Sequence, residues 1–308
     1  MILAFILRRI LWAIPVLWVV ATLTFFIMHV VPGGPFDREK KLPPEIKANV
    51  EAKYHLDLSL PEQYARYLLD LTHGDFGPSY KYVDRNINEI LKDTFPLTVE
   101  LGIYAFLLAV WIALLSGVLS AWFQGSLIDR GAMFVSAVGI SLPAFLLGGF
   151  LIWLFSVQLP WFHLGEWAHP GSAILPALTL AAAPAAFLAR LVRAGLMETL
   201  EEDFVRTARA KGVSEWRVLW KHALLPSLLP TLSVSGPLTA TLLTGSFVVE
   251  YIFALPGMGR FFITSVTDRD YPMVMAVTLI YTALLVVANL VVDLLYPVVD
   301  PRIRVTGR

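Results

Sequence analysis

The sequence predicts an all-α membrane protein of six transmembrane helices, with a small helical insertion on the outer side after the first. Three observations carry that prediction. Of 308 residues, 57% are apolar and 16% charged, with mean hydropathy +0.67; soluble domains run at roughly 45–50% and a quarter. Six stretches are long and apolar enough to cross a bilayer, which takes about 20 residues. Basic residues also crowd into alternate connections. The 24 Lys+Arg cancel the 24 Asp+Glu, so no basic excess points to nucleic acid. The absence of cysteine excludes disulfides, thiol nucleophiles and thiolate metal sites.

The first span is read at Ile10–Val31, behind the positive flank Arg8-Arg9. Its apolar run is too long for a signal-peptide core, and no A-x-A-like site precedes Pro32-Gly33-Gly34-Pro35, so it is read as a retained helix. Residues 32–96 form a mixed-charge outer segment with three helix starts. Pro43-Pro44-Glu45 places proline in a first turn, Ser59-Leu60-Pro61-Glu62 reads as a capping box, and Asp84 caps a third helix ending near Asp93. At about 65 residues the segment is marginal as an independent domain, so it is expected to rest on the membrane helices or a partner.

The remaining spans are read at Leu97–Phe123, Gly131–Gln158, Ala173–Val192 (interrupted by Pro176 and Pro184), Ser227–Ala254 and Val274–Val299. Continuous apolar runs satisfy their backbone only as helices. With the N-terminus inside, the inner side holds Arg8, Arg9, Arg130, seven basic residues from Arg190 to Lys221, and Arg302, Arg304 and Arg308. The short outer loops hold only Arg260 and Arg269. Thirteen against two puts both termini in the cytoplasm. The expected organisation is 1–31 for the N-terminal segment and first span, 32–96 outside, 97–299 for a five-helix core containing an inner loop at 193–226, and 300–308 for a tail.

That inner loop is far longer than a typical 2–8-residue helix connection. Val205 and Ala208 precede Lys211-Gly212, where glycine supplies a helix C-cap. Ser214 caps a second short helix holding Trp216, Val218, Leu219 and Trp220. The product is a helix–glycine turn–helix, apolar on one side and basic on the other. It suits either an anionic lipid surface or a groove on a cytoplasmic partner.

RTARAKG (Arg206–Gly212), followed by His222-Ala223-Leu224, resembles the "EAA" loop of ABC importer permeases in its peptide-transporter form. Ala208 and Gly212 match the general pattern, Arg206 and Thr207 replace its first two positions, and Leu225-Pro226 falls one residue late. The runs VVPGGPFDREKKLPPE, EAKYHLDLSLPEQY, HGDFGPSY, GSFVVEYIFALPGMG, Asp268–Tyr271 and VDLLYPVVDPRIR extend the resemblance over Ile10–Arg304, to the B-subunit family of oligopeptide permeases. The resemblance implies a type I ABC importer permease fold in the bacterial inner membrane. It also implies a second, C-type permease, two ATPase subunits binding ATP and Mg, a periplasmic binding protein and an oligopeptide substrate. The helix around Gly212–Lys221 becomes the coupling helix seated on an ATPase, with Arg206, Thr207, Ala208, Lys211, Gly212, Val213, Ser214, Trp216 and Arg217 as the coupling residues. Arg206, Lys211 and Arg217 would meet acidic or carbonyl groups, Trp216 would be an apolar anchor, and Gly212 both a turn and a requirement of fit.

The chain carries no chemistry of its own. It has no G-x-x-x-x-G-K-[ST], and GDFGPSYK (Gly74–Lys81) has the wrong spacing. No H-E-x-x-H or G-x-S-x-G appears, and His163 and His169 lack ligand spacing, so neither a metal nor another cofactor is expected on this chain. Ionisable groups at membrane depth are functional candidates by default. Glu100 is read as reaching headgroups, Glu250 begins the EYIFALPGMG segment, which the family resemblance implies is part of an outer gate, and Asp293 is read as structurally paired before substrate contact. The fifth span carries Ser233, Ser235, Thr239, Thr241, Thr244 and Ser246, with Gly236-Pro237 expected to break it. These hydroxyls line a wet path or pack helices together; Ser235, Thr239, Thr241, Ser246, Glu250 and Asp293 are the path or gate candidates. A dipeptide, nickel or antimicrobial-peptide permease is the alternative within the family. An ion-coupled carrier would show inverted repeats, and none is visible; an intramembrane enzyme would need a nucleophile–base pair, also not visible.

Overall fold

The computed structural model describes the backbone of residues 2–30, 52, 54–82, 85–165, 167, 169 and 171–299, and their side chains except at 2–5, 237, 240, 241, 243–245, 292 and 295–299. The expected starts at Pro43-Pro44-Glu45 and Asp84, the tail at 300–308 and the Thr241 side chain lie outside these. The described chain is helical, with one isolated bridge between Pro78 and Asn86. It divides into two compact units: Met1–Ile10, Val99–Leu255 and Leu284–Arg308 in one, Leu11–Thr98 and Pro256–Ala283 in the other.

The helices are α1 (Ile2–Val30), α2 (Leu60–Thr72), α3 (Ile87–Trp122), α4 (Leu127–Ser141), α5 (Ala144–Ile152, prolonged by a π-helical turn to Gln158) and α6 (Ile174–Leu200). They continue as α7 (Asp203–Ala210), α8 (Glu215–Arg217, running through a π-helical stretch into Leu224–Ser227), α9 (Leu229–Ile252), α10 (Met258–Asp268) and α11 (Tyr271–Val299). Helices α1, α3, α6 and α11 each contain a stretch long and apolar enough to cross a membrane, and α4 with α5 makes a further, broken one. Helix α9 occupies the place of the expected fifth span; its 24 residues rise by about 36 Å, enough for a hydrocarbon core of about 30 Å.

Several expected boundaries are corrected, each for a local reason. The third span is not one rod: α4 and α5 meet at 106°. Pro143 has no N–H and disfavours helical backbone at the residue before it, and Leu142 is accordingly extended, at φ −83° and ψ 122°. The reverse holds for α6, where the two prolines do not interrupt. Pro176 falls in the first turn, where its missing N–H costs no bond, and the helix continues past Pro184 to Leu200. The expected inner loop therefore begins not at 193 but after Leu200. The helix expected to end near Asp93 is instead continuous with the second span, as α3 contains Pro96. Gly236-Pro237 do not break α9.

In the second unit the insertion rests on α1, as its size requires. Thr22 and Tyr64 share a hydrogen bond of 2.7 Å, and Phe25 stacks on Tyr67 with ring centroids 5.6 Å apart. The capping box at Ser59 forms, the Glu62 carboxylate accepting from the Ser59 N–H at 3.0 Å and from its hydroxyl at 2.6 Å. These bonds hold Glu62 below the usual carboxylate range, the side-chain bond contributing most. The motifs HGDFGPSY and Asp268–Tyr271 meet: the buried Asp270 carboxylate accepts from the Ser79 hydroxyl and from the Tyr80 N–H at 3.1 Å. Burial raises the Asp270 carboxyl above its ordinary range, while those bonds oppose the shift.

Candidate functional site

The candidate site is the segment from the end of α6 to the start of α9, within the first unit. Its helices form because their apolar residues have somewhere to go. Val205 and Ala208 of α7, and Val218, Leu219 and Ala223 of α8, are buried together with Val118 and Ala121 of α3 and Val192 and Leu196 of α6. The chain reverses at Gly212, whose φ of +76° suits glycine and strains other residues. The Gly212 N–H donates to Arg209 O at 2.9 Å and the Val213 N–H to Ala208 O at 3.2 Å, closing the end of α7.

Two features of this turn escaped sequence reasoning. Ser214 stands at the N-cap of α8 but makes no side-chain capping bond. The turn is instead clipped by a forked ion pair, Arg209 Nε to Glu215 Oε1 at 2.9 Å and Nη2 to Oε2 at 3.1 Å. Arg209 Nη1 also donates to Leu200 O at 3.2 Å, tying the turn to the end of α6. Alternating charge six residues apart across a glycine was the signal available. The second feature is Asp129, in the first turn of α4, which holds Arg193 of α6 through Nε at 2.7 Å and Nη2 at 2.8 Å. These residues lie 64 apart in sequence, and no local pattern announces them.

The coupling candidates then separate by side. Arg206, Thr207, Lys211, Gly212, Ser214, Trp216 and Arg217 are exposed, Val213 is half-buried, and Ala208 is buried in the chain's own core. Arg206 lies 3.6 Å from Asp203 in a solvent-exposed pair, worth little. Lys211 and Arg217 have no ion-pair partner among the described residues. Trp216 is 65% exposed; its ring sits 5.3 Å from that of Trp220, and both line an apolar groove of about 550 Å³ with Trp111, Leu115 and Trp122 of α3. A Cβ on Gly212 would meet nothing within 4 Å, so within this chain the glycine is required by its dihedral alone.

The path candidates are not brought together in this way. Ser235 is buried and its hydroxyl donates to Leu232 O at 2.7 Å; that of Thr239 donates to Ser235 O at 2.8 Å. Bonds of this kind spend the hydroxyl on its own helix. Ser246 and Glu250 are fully buried. Asp293 of α11 forms an ion pair with Arg9 of α1 at 2.8 Å. Glu100 accepts from Tyr104 Oη at 2.5 Å and Trp167 Nε1 at 3.1 Å. The rings of His163 and His169 stack 5.0 Å apart, and no cluster of three metal-binding side chains occurs among the described residues.

Comparison with known proteins follows this geometry. Residues 109–305 match the family described as binding-protein-dependent transport system inner membrane component, and residues 2–102 match the N-terminal membrane component of such systems. The oligopeptide transport system permease protein OppB of Salmonella typhimurium is 44% identical over 305 residues, covering 98% of this chain and 99% of that protein. The protein of the same name from Haemophilus influenzae is 42% identical over the same shares. The dipeptide transport system permease protein DppB of Bacillus subtilis is 43% identical over 93% of both chains. Among solved structures, an amino acid ABC transporter with histidines superposes with a TM-score of 0.51 at 19% identity, over 68% of this chain and 94% of that one, a likeness of fold.

Proposed function

The chain belongs to the family of inner membrane components of binding-protein-dependent transport systems, and from that premise we propose that it is the oligopeptide-importing permease subunit of an ABC transporter. It forms half of a translocation path with a second, C-type permease. A periplasmic binding protein delivers peptide, and two ATPase subunits, which bind ATP and Mg, drive the cycle. This chain itself is a transport subunit without catalytic residues. It lies in the bacterial inner membrane with both termini cytoplasmic.

One observation carries the coupling assignment. The α7–α8 segment is anchored by an apolar back of five buried residues and turns outward a basic face, Arg206, Lys211 and Arg217, around the tight reversal at Gly212. A short helical element fixed from behind and charged in front suits a cleft on a partner. Nucleotide-driven closure of the ATPases would then move it as a rigid body. Thr207, Ser214 and Trp216 flank the same reversal, whereas Ala208 and Val213 support it from within. The path is assigned to α9 and its neighbours, with Ser235, Thr239, Thr241, Ser246, Glu250 and Asp293 as its candidates. The 43% identity to a dipeptide permease keeps a shorter-peptide substrate as the second reading.

The test is purification in mild detergent after co-expression with the chromosomal neighbours. A stoichiometric second permease and ATPases, with hydrolysis stimulated by a peptide-loaded binding protein, is the expected result; varying peptide length then separates the two substrate readings. Transport of solute in vesicles by this chain without ATP would overturn the proposal. Protease cleavage of a tag at either terminus from outside intact cells would overturn the orientation.

A further inference from the structure

Asp129 is 4% exposed, and its carboxylate is satisfied from three directions. Oδ1 accepts from the Ser120 hydroxyl on α3 and from Arg193 Nε on α6; Oδ2 accepts from the Gly125 N–H at 2.8 Å and from Arg193 Nη2. Nothing in the transport reading so far uses this pair. Its place is informative. Val192 and Leu196, on either side of Arg193 in sequence, and Val118 and Ala121, on either side of Ser120, belong to the core that receives α7 and α8. Gly195 lets α6 approach the end of α8 so closely that a Cβ there would lie 2.6 Å from Ser227 O. The end of the coupling segment is thus close-packed on α6, and α6 on α3, where a Cβ on Gly117 would lie 2.7 Å from Ala189 O.

We infer that Asp129 and Arg193 are a positioning pair that makes α4 move with this block, so that displacement of the coupling segment reaches the broken span α4–α5. The inference rests on the coupling function proposed above. Two parallel bonds between a guanidinium and a carboxylate fix orientation as well as distance, and the buried Asp129 carboxylate has little water to substitute for a lost bond, although Arg193 is a quarter exposed. Helix α4, held by its first turn, must follow any rotation of α6 or break the fork. Its far end is the corner at Leu142–Pro143.

The experiment uses the full complex, with spin labels at Arg130→Cys on α4 and Glu202→Cys at the start of α7, both exposed positions outside the coupling candidates in a chain without cysteine. In the otherwise wild-type complex the distance between labels stays the same with and without ATP, because both ride on one block. In Asp129→Asn it becomes nucleotide-dependent, and peptide uptake falls about tenfold while hydrolysis per complex persists. Removing one partner of an ion pair with a buried member can also unfold a protein, so the double variant Asp129→Asn with Arg193→Gln is the control. It carries no uncompensated charge and no charged fork. Normal assembly with uptake still about tenfold down supports a positioning role. Restored uptake would make the pair a charge balance, and failed assembly a folding element; either overturns the inference, as does a nucleotide-dependent distance in the wild type. A wild-type complex lacking ATPases would overturn the functional reading itself, and this inference with it.

Discussion

The two polar regions of the molecule use their polar side chains differently: the outer one buries some of them, and the inner one gathers its unpaired cations around a single reversal. In the outer insertion and its neighbours several polar side chains are consumed internally: Asp270 by Ser79 and Tyr80, Glu62 by Ser59, His29 by Gln63 at 3.3 Å, Arg85 by Asp93 at 2.8 Å; Arg66, Lys81 and Lys92 stay exposed without an ion-pair partner among the described residues. In the α7–α8 segment one ion pair, Arg209 with Glu215, is committed to shape, and Lys211 and Arg217 are left without a partner among the described residues. The α7–α8 segment buries five apolar residues against membrane helices of its own unit, whereas α2 buries none fully and rests on α1 through the half-buried Tyr64 and Tyr67. The difference lies in what is buried and where the unpaired cations stand. Buried, bonded polar groups such as Asp270 hold a shape; cations clustered at one reversal on a fixed base, as Lys211 and Arg217 are, suit contact with a partner.

The sharpest test of that contrast is Gly212→Pro. Proline's φ of about −65° conflicts with +76°, and the bond to Arg209 O is lost as well. The variant should remain in the membrane and lose peptide uptake on the order of a hundredfold, measured as uptake against amount of inserted protein. Normal uptake would break the coupling assignment. In the outer region, Ser79→Ala leaves the buried Asp270 short of a donor and should cost about 1–3 kcal/mol of local stability, read as faster proteolysis of the insertion. Third, Lys211→Gln with Arg217→Gln should weaken ATPase association by about fivefold and flatten its salt dependence. Folding should be unchanged, since exposed substitutions usually stay within about 0.5 kcal/mol; a fall in thermal stability instead would place these cations with the internally spent ones.

The smallest effect is a pH dependence. Glu62 is held below its ordinary range by Ser59, so the stability it adds to the start of α2 is present above the unfolded glutamate value and lost as pH falls through the lowered folded one. Amide exchange at the first turn of α2 should therefore quicken in acid. The Glu62→Gln variant should lose that dependence.

What the residues disclosed beforehand followed from how locally each feature is encoded. The reversal at Gly212 and the capping box at Ser59 are set by three or four neighbouring residues and could be read directly. Spans were legible from apolar length, yet prolines were not legible from their presence alone. Pro143 broke a helix and Pro184 did not, because the outcome turns on position within the helix and on the packing around it: Pro184 sits among Leu180, Ala181, Ala185 and Leu188, all buried. Helix α10 was missed because its 11 residues mix polar and apolar types without a long run. The Asp129–Arg193 pair is a tertiary fact between the first turn of α4 and the body of α6 and leaves no trace in either neighbourhood. Ala208 matched a motif, yet its side chain is buried in the chain's own core; position in a motif does not say which way a helix faces.

The corner between α4 and α5 has a consequence for solvation. Where the helical ladder stops, the last carbonyls of α4 and the first amides of α5 lose their intrahelical partners, and hydrocarbon offers none in exchange. Acyl chains are therefore excluded as the neighbours of Leu142–Pro143. That point on the molecule must lie against another polypeptide, in a water-filled lumen, or level with the headgroups, even though Phe145 and Leu146 beside it are more than half exposed in the isolated chain. A break in the backbone thus maps the limits of the lipid annulus, which side-chain apolarity alone would have drawn straight across it.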